Sequence, residues 1–256
     1  MDSSISARNR RRLARERLLR FWLAPPDFVC PVCDYAGPFL DVRNRDIGRR
    51  LYGQCPRCNT RERHRLLRLV IADLARRSDL SGLRALHFSP ETVLSPWLRG
   101  LFSSYETSDF ARRSCDHAYD LTAIDLPAGA VDVVIACHVL EHVPAEEAAL
   151  KEIARILKPG GMALLPVPIN AEQTIEYGGA FECGGHVRAP GPDYFDRLRR
   201  HFGRVELYSA ANYSPRYQLS LIQPRTCWPT VRAPHLRPMP GLVFPEILPI
   251  AIKSAA

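Results

Sequence analysis

Val131-Asp-Val-Val-Ile-Ala136-Cys-His-Val-Leu-Glu-His-Val143, closed further on by Leu157-Lys-Pro-Gly-Gly161, is the stretch that decides the fold of this 256-residue chain. Val131, Val133, Val134, Ile135 and Ala136 make a nearly continuous apolar run, as a strand covered on both faces requires. Beyond Pro144, Glu146 and Glu147 fall in a first helical turn, where the helix dipole favours negative charge. Leu150, Ile153 and Leu157 recur at helical spacing, and Lys158 with Pro159-Gly160-Gly161 predicts the stop. Met162–Ile169 reads as the following strand. Strand, polar turn, helix and strand form one α/β unit, and open parallel sheets bind ligands at the carboxyl ends of their strands. His138, Glu141 and His142 are therefore expected at the rim of a site.

The same alternation extends in both directions. Arg65–Arg77 predicts a helix and Leu83–Phe88 a strand, after which Ser89-Pro90-Glu91 has the form of a capped helix start. Free N–H groups there would suit an anionic ligand group, with Glu91 facing an ammonium; an ordinary capped helix fits the same residues. Tyr105–Asp109 reads as a second strand ending in an acid, the position from which a carboxylate accepts from both hydroxyls of a ribose. Asp109 is the better placed acid and Glu106 the alternative. Gly203–Ser209 and Glu246–Ile252 are further strand candidates. The proline-rich stretch 211–245 between them predicts a surface excursion or lid.

Net charge is +8, and it is not evenly spread. Residues 1–70 carry 16 arginines against 7 acids, while the remainder is close to neutral. Arg8, Arg10, Arg11, Arg12, Arg15, Arg17 and Arg20 crowd the start, and Arg61, Arg63, Arg65 and Arg68 follow later. Such a patch suits RNA phosphates, or a solvated basic arm. Aromatic side chains for base stacking (Phe21, Trp22, Phe28, Tyr35, Phe39, Tyr52) are sparse within it. No apolar run approaches the roughly 18 residues of a membrane span. No secretory core opens the chain, so a cytoplasmic location is expected, with reduced thiols.

Eight cysteines include Cys30-Pro-Val-Cys33 and Cys55-Pro-Arg-Cys58. Two Cys-x-x-Cys turns bring four thiolates to tetrahedral distance, which points to structural zinc held by Cys30, Cys33, Cys55 and Cys58. Redox chemistry would call for a single such motif within a βαβ unit. Cys115, Cys137, Cys183 and Cys227 show no paired spacing, and Cys183-Gly-Gly-His186 alone is too little to assign a second metal.

In order, Cys55–Arg65, Leu86–Glu91, Asp120-Leu-Thr122, His138–Val143, Leu157–Gly161, Pro166–Ile169 and His186-Val-Arg188 resemble the class I S-adenosylmethionine-dependent methyltransferases. The likeness is to a type-11 group bearing an N-terminal zinc-ribbon-like segment with four cysteines, over about residues 28–200. The resemblance implies an α/β fold: a Rossmann-like, mostly parallel sheet with an antiparallel last strand at its edge, where Pro249 is tolerable, preceded by a small zinc-binding segment. It implies a basic arm over 1–27, the zinc segment over 28–64 and the methyltransferase domain over 65–256. The glycine-rich first turn common in class I enzymes is missing here, and the type-11 group shares that departure. The cofactor set implied is His87, Phe88, Ser89, Glu91, Asp109, Asp120, Leu121, Cys137 and His138, with Asp120 and Leu121 at the adenine. His142 is expected to pack or cap the next helix. His186 is the candidate base and Arg188 the candidate holder of an anionic acceptor group; a loop histidine and a surface arginine are the plain alternative. The implied reaction is methyl transfer to a small molecule or sugar, with RNA as the competing acceptor. A zinc-containing binding protein without catalysis is the competing class.

Overall fold

A computed structural model of the chain describes residues 4–19, 27–44, 48–111, 114–179, 181–223 and 243–255. Arg20, Phe21, Trp22, Cys227 and most of the proline-rich stretch lie outside the described residues, as do the side chains of Arg17 and Cys183. The N-terminal part runs α1 (Ala7–Leu19), β1 (Phe28–Val29), β2 (Ala36–Gly37), β3 (Leu40–Asn44) and β4 (Gly48–Gln54), then α2 (Glu62–Arg77). The sheet domain continues with β5 (Arg84–Phe88), α3 (Ser95–Arg99), β6 (Ser104–Ser108), β7 (Val131–Ala136), α4 (Glu146–Ile156) and β8 (Leu157–Leu164). It closes with β9 (Ile175–Glu176), β10 (Arg188–Ala189), α5 (Tyr194–Arg199), β11 (Arg204–Ser209), β12 (Ser220–Ile222), β13 (Val243–Pro245) and β14 (Ile247–Ile252).

Six strands form the central sheet in the order β11-β14-β8-β7-β5-β6. β6, β5, β7 and β8 are parallel, and β14 runs antiparallel to both β8 and β11. The expected mostly parallel sheet with an antiparallel last strand is thus present. The last strand is not at the edge, however: β14 is inserted between β8 and β11. Pro249 lies one residue beyond the stretch registered with β8, so its missing N–H falls where that ladder has ended.

Both faces of the sheet are covered, which explains the unbroken apolar run of β7. Val131, Val134 and Ala136 pack with Leu150, Ile153 and Ile156 of α4 and with Phe195 and Leu198 of α5. Val133 and Ile135 pack on the other side with Leu66, Leu67, Val70 and Ile71 of α2 and with Leu94 and Leu98. Each such side chain contributes about 1.5–3 kcal/mol by leaving water. Pro159-Gly160-Gly161 does not separate helix from strand as expected: β8 begins at Leu157 and carries these residues as an irregularity against β7. Gly161 is held to glycine by contact, because a Cβ would meet the Asp132 and Lys158 carbonyl oxygens at 2.9 Å.

The ends of the proline-rich stretch are not a free excursion. β12 pairs with β13 and with β4, making a four-stranded sheet with the N-terminal module. Arg65 locks this junction. Its guanidinium, fully buried, donates to the carbonyls of Thr60 (2.9 Å), Tyr217 (2.9 Å) and Gln218, and lies 4.7 Å from the Phe39 ring centre. Among the described residues no helix is long and apolar enough to cross a membrane.

Candidate active site and metal centre

A cavity of about 670 Å³ opens at the carboxyl ends of β5, β6 and β7, where strand order reverses around β5. Phe88, Ser89, Asp109, Asp120, Leu121 and His138 are all in its wall. Ser89 has φ +49° and donates its N–H to the Ser108 carbonyl at 2.8 Å. It therefore adopts the left-handed turn for which glycine is the easy residue, at a cost of about 1–2 kcal/mol. The Ser89 hydroxyl donates to Asp109 Oδ2 (3.1 Å), and Ala111 N–H to Oδ1 (2.9 Å), which orients the acid at the end of β6. Asp120 is set by a tight turn in which Thr122 N–H and Oγ1 both donate to its Oδ1, at 2.8 and 2.7 Å.

Three expected cofactor residues are elsewhere. Ser89 does not cap a helix; the next helix begins only at Ser95, because the left-handed backbone of Ser89 (φ +49°) is not the extended backbone of a cap and its hydroxyl is turned to Asp109. Glu91 consequently turns inward, 3.0 Å from Nε2 of the fully buried His87, whose Nδ1 is 2.7 Å from the Tyr105 hydroxyl. Cys137 is buried beside them, and burial followed by the charge of Glu91 pushes its thiol up. Alternate residues of a strand face opposite sides, so His87 and Cys137 form the underside of the cavity rather than its wall. Glu106, the alternative to Asp109, is taken by Arg84 (3.1 Å) and His117 (2.7 Å).

The first turn of α2 reaches this underside, which the sequence did not reveal. Burial lowers the Arg63 guanidinium, but Cys137, Glu62, Glu246 and Glu91 around it outweigh that and hold it charged. Burial, then the charge of Arg63, pushes His64 down to about 3. Burial would push Glu91 up, yet the bond to His87 and the charges of His87 and His64 pull it down to about 2. The only hint in the sequence was position: Arg63 and His64 follow directly on the second cysteine pair.

On the opposite rim stand His138 and His142, with Glu141 and His186 next to them. His138 (φ +57°) places Nδ1 3.5 Å from Glu141 Oε1 and Nε2 3.6 Å from Glu246 Oε2. The His142 and His186 rings meet edge to face at 4.7 Å. Burial, then the charges of His142, His138 and Arg50, pushes His186 down to about 3, so its ring takes up a proton poorly at neutral pH. Arg188 is not an acceptor-holding residue. It is 3 % exposed and donates to the Leu140 carbonyl (2.6 Å), the Val143 carbonyl (2.9 Å) and Glu176 (3.1 Å), with Glu146 at 3.8 Å. Every face of its guanidinium is used to pin the turn after β7. His142 likewise does more than cap a helix, since it lines the cavity.

The four cysteines converge as expected. Cys30 and Cys58 sulfurs lie 3.5 Å apart, Cys33 and Cys55 sulfurs 3.6 Å apart, and all four within 4.8 Å of one another. Tetrahedral zinc–thiolate bonds set sulfurs about 3.8 Å apart. The two turns are near copies: Asp34 N–H donates to Cys30 O and Asn59 N–H to Cys55 O, with Asp34 and Asn59 at φ +56° and +63°. Thr60 Oγ1 supports two of the sulfurs, at 3.3 Å from Cys30 and 3.1 Å from Cys58. The donor set fits zinc, and with four thiolates it leaves no coordination position for substrate.

Much of the basic segment is consumed internally. Arg12 donates to the Asp41 carbonyl (2.6 Å), Arg49 to the Asp41 carboxylate (2.6 Å) and Arg50 to Glu62 (3.2 Å), while Arg68 stacks 3.8 Å above Trp97. Phe28, Tyr35 and Phe39 are buried in the module's own core, not offered as stacking platforms. A cleft of about 400 Å³ lined by Arg8, Arg12, Arg15, Arg43 and Arg61 remains.

Residues 103–165 match the family model described as a methyltransferase domain. Among solved structures, a 1,6-didemethyltoxoflavin-N1-methyltransferase from Burkholderia thailandensis, with bound 1,6-didemethyltoxoflavin and S-adenosylhomocysteine, is 14% identical. That match covers 75% of this chain and 78% of the other, with a TM-score of 0.50. A putative methyltransferase from Bacillus halodurans is 16% identical, over 72% of this chain and 99% of the other, with a TM-score of 0.45. No curated protein matches this chain. Residues 103–165 thus carry the methyltransferase-domain likeness, and the fold is that of the Burkholderia thailandensis enzyme, with the cysteine cluster ahead of it.

Proposed function

We propose that the protein is an S-adenosylmethionine-dependent methyltransferase acting on a small molecule or sugar. The observation that carries this reading is the cavity at the reversal of strand order, with Asp109, Asp120 and the left-handed Ser89 in one wall. Its volume of about 670 Å³ is within the range of small-molecule sites. Asp109 would hold the ribose hydroxyls, Asp120 and Leu121 the adenine, and the Ser89 turn the amino-acid end. The cofactor, when bound, supplies an electrophilic methyl group for in-line displacement. The protein's part is then alignment: the Phe88 and Leu121 side chains exclude water, and His138 at the rim faces the place where an acceptor enters.

A small acceptor is favoured over RNA because Arg63 and His64 of α2 close the underside and the module's aromatic side chains are buried. Calorimetric titration with S-adenosylmethionine tests the reading. Heat with one-to-one stoichiometry supports it, and neither heat nor a thermal shift at millimolar cofactor would sink it. Turnover of oxygen-bearing small acceptors against RNA separates the two acceptor classes. Salt-dependent RNA binding lost on replacing Arg8, Arg12 and Arg15 by Ala would favour RNA.

A further inference from the structure

We infer that Glu141, His142 and His186 form a second metal site, separate from the four cysteines, that takes a divalent first-row cation on two imidazoles and one carboxylate. One ligand atom from each of the three lies within 4.8 Å of the others. His142 Nε2 is already 3.9 Å from Glu141 Oε1. Metal–ligand bonds of about 2.1 Å would set such atoms roughly 3–3.5 Å apart, so side-chain adjustment of about 1 Å closes the site.

The second observation is Glu141 itself. It is 1 % exposed, and among the described residues neither carboxylate oxygen has a hydrogen-bond partner. A buried carboxylate without donors is costly, and a cation is the partner that removes the cost. Its nearest neighbours are the ring nitrogens of His138 and His142, which on a metal would be co-ligands or close to it.

The third is tautomer control. His142 Nδ1 lies 3.0 Å from the Gly185 carbonyl, which can only accept, so Nδ1 carries the hydrogen and the lone pair is on Nε2. That is the outer bond that orients a ligating imidazole. The two chain segments are also held in register. Val187 N–H donates to the Glu141 carbonyl (2.9 Å), and Arg188 spans the Leu140 and Val143 carbonyls. Gly184 and Gly185, both at φ +80°, turn the chain so that His186 meets His142.

With three protein ligands the cation keeps open positions. His138 and His142 line the large cavity, so those positions border it, where an oxygen of the methyl acceptor would bind. Only this last assignment rests on the methyl-transfer reading; cation binding does not.

Nitrogen and oxygen donors accept Mn²⁺, which competes poorly for thiolates, so the two sites are separable. The full-length protein, carrying one zinc per chain on its cysteines, is titrated with Mn²⁺ alone, and free Mn²⁺ is read by electron paramagnetic resonance. One Mn²⁺ bound per chain is expected, with zinc content unchanged. Binding should weaken at least tenfold in E141Q, in H186A and in H142A, the last at a residue exposed enough to be replaced without loss of fold. Zinc content and melting temperature report folding in each variant. No Mn²⁺ bound by the wild type at about 1 mM, or wild-type binding in the folded variants, would overturn the site. S-adenosylmethionine titration of the same samples reports on the enzyme reading separately.

Discussion

Replacing Arg188 by Ala separates a structural pin from a substrate contact. Arg188 joins three backbone carbonyls of the turn after β7 to Glu176 and Glu146 while only 3 % exposed. Removing one partner of a buried charge pair costs about 3–5 kcal/mol. Two features place the loss at the lower end. Glu146 keeps Arg197 at 2.6 Å, and Glu176 is half exposed, so its pair with Arg188 is screened. About 3 kcal/mol in a chain of this length corresponds to a melting temperature lower by roughly 6–12 °C. R188K should fall between, since one ammonium cannot span carbonyls that a planar fork reaches together. Scanning calorimetry of the wild type and both variants provides the measurement. An R188A protein that melts within about 2 °C of wild type, yet loses activity, would refute the pinning role and restore the acceptor contact.

D109A should weaken S-adenosylmethionine binding by about a hundredfold, because hydrogen bonds to a charged acceptor contribute about 1.5–3 kcal/mol; a change under threefold in calorimetry would count against the ribose assignment. C55S should take zinc from one per chain toward zero and lower near-ultraviolet dichroism of the N-terminal module; unchanged zinc content by metal analysis would remove the four-thiolate assignment. His64 is held at about 3 in the fold, against about 6.5 when unfolded. The unfolded chain therefore binds a proton below pH 6.5 that the folded chain refuses. Stability from this group is lost as pH falls from 6.5 toward 3, by about 1.4 kcal/mol per unit. Urea unfolding of H64Q should accordingly be flatter between pH 6.5 and 5; identical slopes in the two proteins would contradict the half-buried neutral ring.

The parts of the site legible in the sequence were those set by local rules. β7 was read over its full span because burial on both faces demands consecutive apolar residues, and α4 because its greasy stripe has helical period. The cysteine pairs were legible because metal geometry prescribes their spacing. Ser89 departs from its sequence expectation for a local reason: Ser-Pro-Glu has the form of a good helix cap. In the fold its backbone takes a left-handed turn held by the Ser108 carbonyl and its hydroxyl meets Asp109, so the extended backbone of a cap is lost and tertiary contacts outweigh a weak propensity. Arg65 and Arg188 had the same sequence signature as any surface arginine, and only contacts more than forty residues away show them to be buried.

Residue type and spacing were therefore enough for the individual strands and the cysteine cluster, because each follows from a period or a coordination number, while the ordered family resemblance supplied the sheet as a whole and singled out Asp120. Which arginines are struts, which histidines face the cavity, and where the ends of the proline-rich stretch dock were decided by the tertiary structure. Those outcomes depend on long-range partners: β12 against β4, Arg63 among Glu91 and Glu246, His186 against His142. A buried polar group is defined by whatever satisfies it, and that partner is distant in sequence.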